Sequence, residues 1–265
     1  MSGRDRKVTM ITGASSGIGK ATARLLGRRG DSLVLVARRK ERLEELAVEL
    51  TAMGVETLVV AMDLGSAHQL GELVNQVLQR FGRIDILINN AGFGWQELFE
   101  KMRPEDIEKM FQVNVMTPIE LCRQVIPIMH RQNGGTIVNV SSVAGFVSSP
   151  MNSIYCATKH ALVGFSKSLR QELTGTGIRV TVVCPGNTKT EFWEVAAQAY
   201  DFPWYLTKFA APVSKIAQAI AEATTGRDQV VVPTLQAKAM YYTEKFFPFL
   251  FTYGGTKYRG MIEKK

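Results

Sequence analysis

A tyrosine and a lysine one helical turn apart are the residues of this chain best suited to proton transfer. Tyr155 and Lys159 lie four positions apart in a stretch of helical periodicity, so their side chains share one face. A free tyrosine has a pKa of about 10, too high for acid–base work at neutral pH, and a nearby ammonium group lowers it. The pair could therefore donate a proton to a ketone or accept one from an alcohol.

A serine distinguishes this pair from two others with the same spacing. Ser142 lies thirteen residues before Tyr155, at the end of a predicted strand, where it could hydrogen-bond a substrate oxygen while Tyr155 moves the proton. The same offset gives no hydroxyl group for the other two pairs, which we expect to be ordinary surface residues. The three matches are Tyr155/Lys159, Tyr241/Lys245 and Tyr253/Lys257, with Ser142, Asp228 and Met240 at the respective upstream positions.

A glycine-rich turn spans Thr12–Gly19, with the sequence TGASSGIG, between the first predicted strand and the first predicted helix. Gly13, Gly17 and Gly19 permit a tight turn, close approach of the backbone to a phosphate, and close packing of helix on strand. The N-terminus of the helix offers unpaired N–H groups and the positive end of a dipole to an anion. The turn therefore predicts a site for the pyrophosphate of a dinucleotide.

The residue about 20 positions beyond such a turn meets the adenosine ribose, and a carboxylate there favours NAD. Here the second strand ends in Ala37-Arg38-Arg39-Lys40, without a carboxylate. The guanidinium groups of Arg38 and Arg39 could bind a 2′-phosphate, so we predict NADP(H), with NAD(H) as the alternative. The other interpretation is a solvated basic helix start, with Glu41 and Glu44 as its partners.

Two asparagine features accompany these motifs. The sequence Asn89-Asn90-Ala91-Gly92 follows the fourth predicted strand, at the edge where open α/β sheets bind ligands. Asn114 lies within a helical pattern, where asparagine tends to bond locally to the backbone. It is either a structural break in the helix or a polar anchor for a water molecule near Lys159.

Strand-length apolar segments alternate with amphipathic helical segments along the chain. This alternation predicts a doubly wound α/β fold, with a parallel sheet covered on both faces and a single domain over residues 1–265. We expect Pro118 and Pro127 to kink or divide the fourth helix. The predicted strands are Lys7–Thr12, Ser32–Ala37, Glu56–Ala61, Ile84–Asn89, Thr136–Ser141, Arg179–Cys184 and Gln229–Val232, and the predicted helices are Gly17–Arg29, Lys40–Met53, Ala67–Phe81, Pro104–His130, Tyr155–Thr174 and Val213–Thr225.

Composition excludes several classes of protein. With 46% hydrophobic and 21% charged residues, the 265-residue chain is neither disordered nor fibrous, and it has no apolar run long enough to span a membrane. The N-terminal sequence predicts no secretory signal, and the net charge of +8 comes without a nucleic-acid-binding motif. Three cysteines and three scattered histidines predict free thiols in a reducing, cytoplasmic compartment and no metal site.

Aromatic residues concentrate in two late regions. Residues 188–212 are rich in aromatics, and Phe192 and Trp193 are candidate substrate contacts; the alternative is packing on the protein's own core or on a partner subunit. Residues 234–265 form a C-terminal extension in which Phe246–Phe251 is surrounded by cations. Aromatics among cations predict peripheral membrane contact, with a subunit contact or a wall of the substrate pocket as the alternatives.

Taken together, these motifs resemble those of the short-chain dehydrogenase/reductase family, in its single-domain branch of about 250 residues. The resemblance covers about residues 7–190, in the family's order. It is carried by TGASSGIG at 12–19, Asp63, NNAG at 89–92, Asn114, Ser142, Tyr155 with Lys159, and Pro185-Gly186.

The resemblance implies a role for each matching residue. Tyr155 would be the general acid or base, with Lys159 lowering its pKa and binding the nicotinamide ribose; Ser142 would orient the carbonyl, and Asn114 would hold a water molecule in a proton relay. The remaining cofactor contacts would come from Gly13, Ser15, Ser16, Gly17, Ile18, Gly19, Asp63, Leu64, Asn90, Ala91, Gly92, Pro185, Gly186 and Thr188. Family members are usually dimers or tetramers, so we expect a homodimer or homotetramer.

The sequence thus predicts an NADP(H)-dependent oxidoreductase acting on a carbonyl or secondary alcohol. The resemblance implies that residues 188–212 form a lid over the substrate. The dense aromatics near residue 200 favour a bulky apolar, lipid-like or steroid-like substrate. The alternative is a non-catalytic dinucleotide-binding sensor or scaffold on the same fold, which would not need the complete acid–base set.

Overall fold

The structure, a computed structural model, describes residues 6–66, 69–191, 210–226, 229–250 and 253–254. Its strands are β1 (Val8–Thr12), β2 (Ser32–Ala37), β3 (Thr57–Ala61), β4 (Ile86–Asn89), β5 (Gly135–Val140), β6 (Ile178–Val183) and β7 (Val230–Val231). Its helices are α1 (Gly17–Arg29), α2 (Lys40–Ala52), α3 (Leu70–Phe81), α4 (Pro104–Phe111), α5 (Thr117–Arg131), α6 (Ser153–Glu172), α7 (Val213–Ala223) and α8 (Leu235–Phe246).

The seven strands form one parallel sheet in the order β3-β2-β1-β4-β5-β6-β7. Every residue of β1, β2 and β4 is buried, which explains why these strands lack alternation of polar and apolar residues. The chain proceeds from β1 towards one edge of the sheet and then from β4 towards the other. The crevice between β1 and β4 is therefore the topological switch point, where sheets of this kind bind ligands.

A layer of helices covers each face of the sheet. Residues of α1, α2 and α7 pack with one set of strand side chains, and residues of α3, α5 and α6 pack with the other set. The two buried clusters contain the apolar residues of the strands and the apolar face of each of these helices, which have to be removed from water. The predicted α/β architecture with a seven-stranded parallel sheet is confirmed.

The fourth predicted helix is divided, but not at its prolines. A π-helical turn at Gln112–Met116 separates α4 from α5, and it contains Asn114. Pro118 stands in the first turn of α5, where a missing N–H group costs nothing, and Pro127 lies inside that helix. The assignment of the break to the two prolines is therefore wrong.

Within the described ranges, no helix is both long and apolar enough to cross a membrane. Cys122, Cys156 and Cys184 are buried free thiols, as predicted. Burial raises the pKa of Cys122 and of Cys184 to about 12, so neither thiol is a reactive nucleophile at neutral pH.

Candidate active site

The switch point brings the candidate residues to one edge of the sheet. The glycine-rich turn follows β1, Asn90 follows β4, Ser142 follows β5 and Pro185 follows β6. Because all the strands are parallel, these four segments leave the sheet on the same side. Residues up to 173 positions apart in sequence thereby lie at one edge of the sheet.

The glycine-rich turn has a backbone that side chains would obstruct. Gly13 has a φ of 69°, and a Cβ atom there would lie 2.9 Å from the Cα atom of Ala91. A Cβ atom on Gly19 would overlap the carbonyl oxygen of Gly13. The N-terminus of α1 has no side-chain cap and no acidic residue in its first turn, so its N–H groups and dipole suit an anion such as a pyrophosphate.

A clasp of polar groups holds the ends of β1 and β4 together. The Thr12 hydroxyl oxygen accepts hydrogen bonds from the backbone N–H groups of Asn90 and Ala91, both at 3.0 Å. The Asn90 amide donates in return to the carbonyl oxygen of Thr12, at 2.9 Å. Sequence analysis assigned Asn90 to the cofactor and gave Thr12 no role, yet Thr12 fixes where Asn90 lies.

A groove of about 330 Å³ runs from this clasp along the glycine-rich turn. It includes most of the predicted cofactor residues: Gly13, Ser15, Ser16, Gly17, Ile18, Gly19, Arg38, Arg39, Asp63, Leu64, Asn90, Ala91 and Gly92. Sequence analysis missed Phe93, Lys109, Val113, Thr190 and Glu191, which also line it. The glycine cradle and the groove together fit a dinucleotide.

Arg38 and Arg39 are both exposed at the end of β2, as expected of residues that meet a ligand phosphate. Arg39 reaches back to the glycine-rich turn, where its guanidinium donates to the Ser16 hydroxyl at 2.6 Å and to the Ser15 hydroxyl at 3.4 Å. The same guanidinium pairs with Glu191 at 2.9 Å. The described partners of Arg39 thus lie in the groove, whereas the expected helix partner Glu44 pairs with Lys40, at 3.6 Å.

Ser142, Tyr155 and Lys159 come together beside the groove. Tyr155 and Lys159 lie in α6, and the Lys159 nitrogen is 5.7 Å from the centre of the Tyr155 ring. The Tyr155 phenol hydrogen-bonds the side chain of Ser142. Lys159 is buried, and its ammonium group donates to the carbonyl oxygen of Val140 at 3.2 Å. The predicted juxtaposition of the three side chains is present.

The pKa of Tyr155 is displaced in the direction opposite to that expected from Lys159 alone. Desolvation raises the pKa of the phenol, and the hydrogen bond with Ser142 offsets only part of that rise. Burial also lowers the pKa of Lys159 to about 8, which weakens the lysine as a permanent positive charge. The phenol is therefore held in its protonated form at neutral pH.

Asn114 binds the backbone that follows the NNAG sequence. Its side-chain oxygen accepts from the N–H group of Phe93 at 3.0 Å, and its amide donates to the carbonyl oxygen of Phe93 at 2.9 Å and to Thr158 at 3.1 Å. A Cβ atom on Gly92 would lie 3.1 Å from the Asn114 oxygen and 3.3 Å from the Lys159 nitrogen. Asn114 thus lies at the π-helical break and also close to Lys159, so both expectations for it describe the same position.

The segment after β6 closes the far side of the site. The carbonyl oxygen of Pro185 accepts from the Ser142 hydroxyl at 3.4 Å, and the Thr188 hydroxyl donates to Gly186 at 3.0 Å. A Cβ atom on Gly186 would be 3.1 Å from that of Ala237, in α8. The predicted substrate residues Phe192 and Trp193 lie outside the described residues.

The C-terminal helix α8, which sequence analysis did not predict, packs beside Ser142. A short turn at Val143–Gly145 follows Ser142, and the next residue, Phe146, stacks edge-on against Tyr241 with 4.7 Å between ring centres. Ala237 and Met240 of α8 join this apolar cluster, which also includes Val143. The helix therefore forms an apolar wall next to the catalytic candidates.

Comparison with known proteins identifies the family. Residues 7–201 match the model of the short chain dehydrogenase family. The chain belongs to the short-chain dehydrogenases. It is 37% identical over 188 residues to the 3-oxoacyl-[acyl-carrier-protein] reductase FabG of Thermotoga maritima. The matched region covers 71% of this chain and 76% of that protein. It is 40% identical over 187 residues to an uncharacterized oxidoreductase of Staphylococcus saprophyticus, over 70% of this chain and 75% of that one.

Solved structures of other short-chain dehydrogenases share the whole architecture. The enzyme from Sphingobium yanoikuyae in complex with NADPH superposes with a TM-score of 0.80 at 32% identity, over 98% of this chain and 96% of that one. The enzyme from Burkholderia phymatum in complex with NAD gives 0.84 at 28% identity, over 94% and 96%. The family predicted from the motifs is confirmed.

Proposed function

We propose that this short-chain dehydrogenase is an NADP(H)-dependent oxidoreductase with a bulky apolar substrate. It would reduce a carbonyl group of that substrate or oxidise the matching secondary alcohol. The observation that carries the proposal is the hydrogen bond between Tyr155 and Ser142 beside buried Lys159, at the edge of a glycine-lined groove. A dinucleotide sensor or scaffold, the competing proposal, would have no use for this complete set.

The residues of the groove favour NADP(H) over NAD(H). Exposed Arg38 and Arg39 follow β2, where a carboxylate would favour the unphosphorylated ribose. Guanidinium groups bind phosphate through paired charge-assisted hydrogen bonds. The Sphingobium relative binds NADPH and the Burkholderia relative binds NAD, so family membership leaves the choice to these local residues.

The protonation of the site favours the direction of reduction. Ser142 would donate a hydrogen bond to the substrate carbonyl, and the Tyr155 phenol, kept protonated by burial, would give that oxygen its proton. Lys159 would hold the nicotinamide ribose, and its ammonium group would return a proton to the Tyr155 phenolate after the reduction. The nicotinamide, when bound, supplies the hydride, while the protein supplies position and charge.

The apolar wall beside Ser142 supports a bulky substrate. Phe146 and Met240 belong to an apolar cluster that includes Val143, the residue after Ser142, and Tyr241 stacks on Phe146. We expect the apolar part of a ketone whose carbonyl group is held by Ser142 to contact this cluster. Apolar and aromatic linings with a few convergent polar groups are typical of sites for large organic ligands. FabG of Thermotoga maritima is named for a reaction on an acyl chain, which is a substrate of this physical type.

An NADPH-oxidation screen over ketones of increasing chain length and ring count tests this proposal. We expect kcat/KM to rise with apolar size. Tyr155→Phe should lower kcat by about 100-fold or more because it removes the proton donor, with the Kd for NADPH nearly unchanged. Tyr242→Phe, at an exposed tyrosine of α8, is the matched control. An unchanged kcat in Tyr155→Phe would contradict the role of Tyr155 as proton donor. NADPH binding by the wild-type protein without NADPH oxidation in the presence of any ketone would support the sensor instead.

We further propose that the C-terminal extension contacts an anionic membrane surface. Beyond the wall-forming part of α8, four apolar residues are exposed, and the ammonium group of Lys245 lies 5.5 Å from the ring centre of the first of them, Phe246. The four are Phe246, Phe247, Phe249 and Leu250, and Lys238 is a second exposed cation of the same helix. A symmetric contact between two copies would bring the cations of both copies into one interface. Aromatics bordered by cations suit the headgroup region of anionic lipid, which favours membrane over a second subunit.

A further inference from the structure

Glu191 occupies the basic end of the cofactor groove. One carboxylate oxygen lies 2.9 Å from a guanidinium nitrogen of Arg39, and both oxygens lie within hydrogen-bonding distance of Arg42, at 2.8 and 2.9 Å. These hydrogen bonds from Arg39 and Arg42 lower the pKa of Glu191. The carboxylate is therefore ionised over the whole physiological range, and its single negative charge is shared by the two arginines.

The arrangement has the form of an anion-binding site. Two guanidinium groups converge on one carboxylate, and Arg39 simultaneously donates to the Ser16 hydroxyl in the glycine-rich turn at 2.6 Å. A phosphate accepts hydrogen bonds from paired guanidinium groups in the same manner as a carboxylate. Glu191 thus takes the place, on Arg39, that a 2′-phosphate would take.

The residue before Glu191 also lies over the glycine-rich turn. A Cβ atom on Gly17 would meet the side chain of Thr190 at 3.3 Å. The preceding residues are held from outside the groove, since Lys189 donates to the carbonyl oxygen of Ala211 at 3.0 Å and Thr188 forms a β-bridge with Ala211. The contacts of residues 190–191 with the groove are therefore separate from the hydrogen bonds that anchor the segment.

We propose that Glu191 is an internal competitor of the cofactor 2′-phosphate, a specificity-determining residue that NADP(H) must displace and NAD(H) need not. This inference rests on the proposed use of Arg39 to bind that phosphate. Two anions on the same guanidinium group, that of Arg39, repel each other, so each weakens the binding of the other. Glu191 thereby reduces the preference for NADP(H) that the arginines alone would give.

The size of the effect follows from exposure. Arg39 and Glu191 are 44% and 46% exposed, and ion pairs in that position are weakened by solvent and salt. We therefore expect a change of several-fold, not of orders of magnitude, and a change that decreases as salt is added.

The variant Glu191→Gln tests the proposal, because it keeps the shape of the side chain and removes its charge. We expect its Kd for NADPH, measured by fluorescence titration at 50 mM NaCl, to fall about three- to tenfold, with the Kd for NADH changing less than twofold. Inhibition by 2′,5′-ADP should strengthen by the same factor. Glu44→Gln removes an equal charge from an exposed pair on α2 that does not involve Arg39, and it should change none of these values.

Three results would overturn the proposal. An unchanged Kd for NADPH would show that the two anions do not compete, and a weaker one would show that Glu191 positions the arginines for phosphate. A gain for NADH equal to that for NADPH would show a general effect on the groove. If charge reversal of Arg38 and Arg39 affects both cofactors equally, the NADP(H) assignment fails, whereas 2′,5′-ADP still reports directly on the competition at Glu191.

Discussion

At the scale of single residues, burial alters the protonation states that Tyr155 and Lys159 would have in water. The sequence predicts a phenol made acidic by an ammonium group. Both side chains are buried where a charge is poorly solvated, so the pKa of Tyr155 is raised and that of Lys159 is lowered, and each shift favours the neutral form. The pair consequently holds a proton ready for donation. The spacing identified the residues correctly, and the surrounding apolar structure determined the direction of the shifts.

Lys159 should make the stability of the protein depend on pH. The pKa of its ammonium group is lowered to about 8 in the folded chain, whereas an unfolded lysine titrates at about 10.4, so the unfolded chain binds more protons between these values. The contribution of Lys159 to stability therefore rises with pH across that window and is lost as pH falls towards 8.

Lys159→Met isolates this contribution. We measure the free energy of unfolding in urea under reducing conditions at pH 8 and at pH 9.5. The increase between these two pH values should be smaller in the variant than in the wild-type protein, by about 1 kcal/mol. Comparing the two proteins cancels the opposing titration of the buried cysteines, whose pKa values are raised. The same pH dependence in both proteins would contradict the claim that burial lowers the pKa of Lys159.

Arg38 and Arg39 should determine which nicotinamide cofactor is preferred. Reversing both charges, as in Arg38→Glu with Arg39→Glu, replaces attraction for the 2′-phosphate by repulsion, so the KM for NADPH should rise at least tenfold while that for NADH changes little. Initial rates with each cofactor measure this. Arg28→Glu, at an exposed position in the last turn of α1, is the control for a change of net charge alone. An equal rise for both cofactors would refute the assignment.

At the scale of elements, the glycine-rich turn works through the contact of α1 with β1. Gly19→Ala would drive a Cβ atom into the Gly13 carbonyl oxygen, so the helix must move away from the strand and the cradle must open. We expect a loss of stability of about 1–3 kcal/mol and a Kd for NADPH at least tenfold weaker. Urea unfolding and cofactor titration measure the two effects.

A second glycine provides the matched control. Gly164 lies in the middle of α6, and no atom stands within 4 Å of the Cβ position. Gly164→Ala should therefore stabilise the protein by up to about 1 kcal/mol, because alanine restricts the unfolded chain and favours helix. If Gly19→Ala behaved like Gly164→Ala, the cradle would not depend on close backbone approach.

Elements with a buried face were predictable from the sequence, and those without one were not. Five strands and five helices bury regular apolar patterns, so periodicity places them close to their observed bounds: β1, β2, β4, β5, β6, α1, α2, α3, α6 and α7. Helix α8 was missed because Ala237 is its only buried residue among those described. A helix break at Asn114 was one of the two interpretations drawn from the sequence, but its π-helical form was not predicted because Asn114 makes its contacts with Phe93, 21 positions away in sequence.

Part of the site was out of reach of sequence reasoning for the same physical reason. Motifs located the glycine turn, Ser142, Tyr155 and Lys159, since local spacing fixes their geometry. Glu191 meets Arg39 across 152 residues, and no local pattern marks a lone exposed carboxylate as a groove residue. Lys109, which also lines the groove from α4, is likewise an ordinary surface lysine in the sequence.

At the scale of the whole molecule, helix α8 connects the candidate active site to exposed apolar residues of the C-terminal extension. The buried side of α8 packs near Gly186 and Val143, while Phe247, Phe249 and Leu250, which follow the helix, are exposed. Phe249 is 64% exposed and Phe247 is 53% exposed, although neither borders the groove. A membrane contact here would place the apolar wall of the site beside the source of a membrane-derived substrate.

Vesicle flotation of the full chain tests this contact. We expect the protein to float with vesicles containing phosphatidylglycerol at low salt, and to float much less with phosphatidylcholine alone or in 0.5 M NaCl, because attraction to anionic lipid is screened within a Debye length. Phe247→Ser with Phe249→Ser should reduce the bound fraction severalfold while leaving α8 in place. Phe99→Ser, at another phenylalanine that is 62% exposed, is the matched control and should leave binding unchanged.

The same variants separate the membrane from a second subunit as the occupant of this surface. If the aromatic residues enter lipid, the double variant loses vesicle binding and keeps the molar mass of the wild-type protein by light scattering. If they join two copies of the chain, the mass falls and flotation is equally absent from both proteins. The second result would contradict the membrane proposal, because an isologous contact would then have formed despite the repulsion between Lys238, Lys245 and their equivalents.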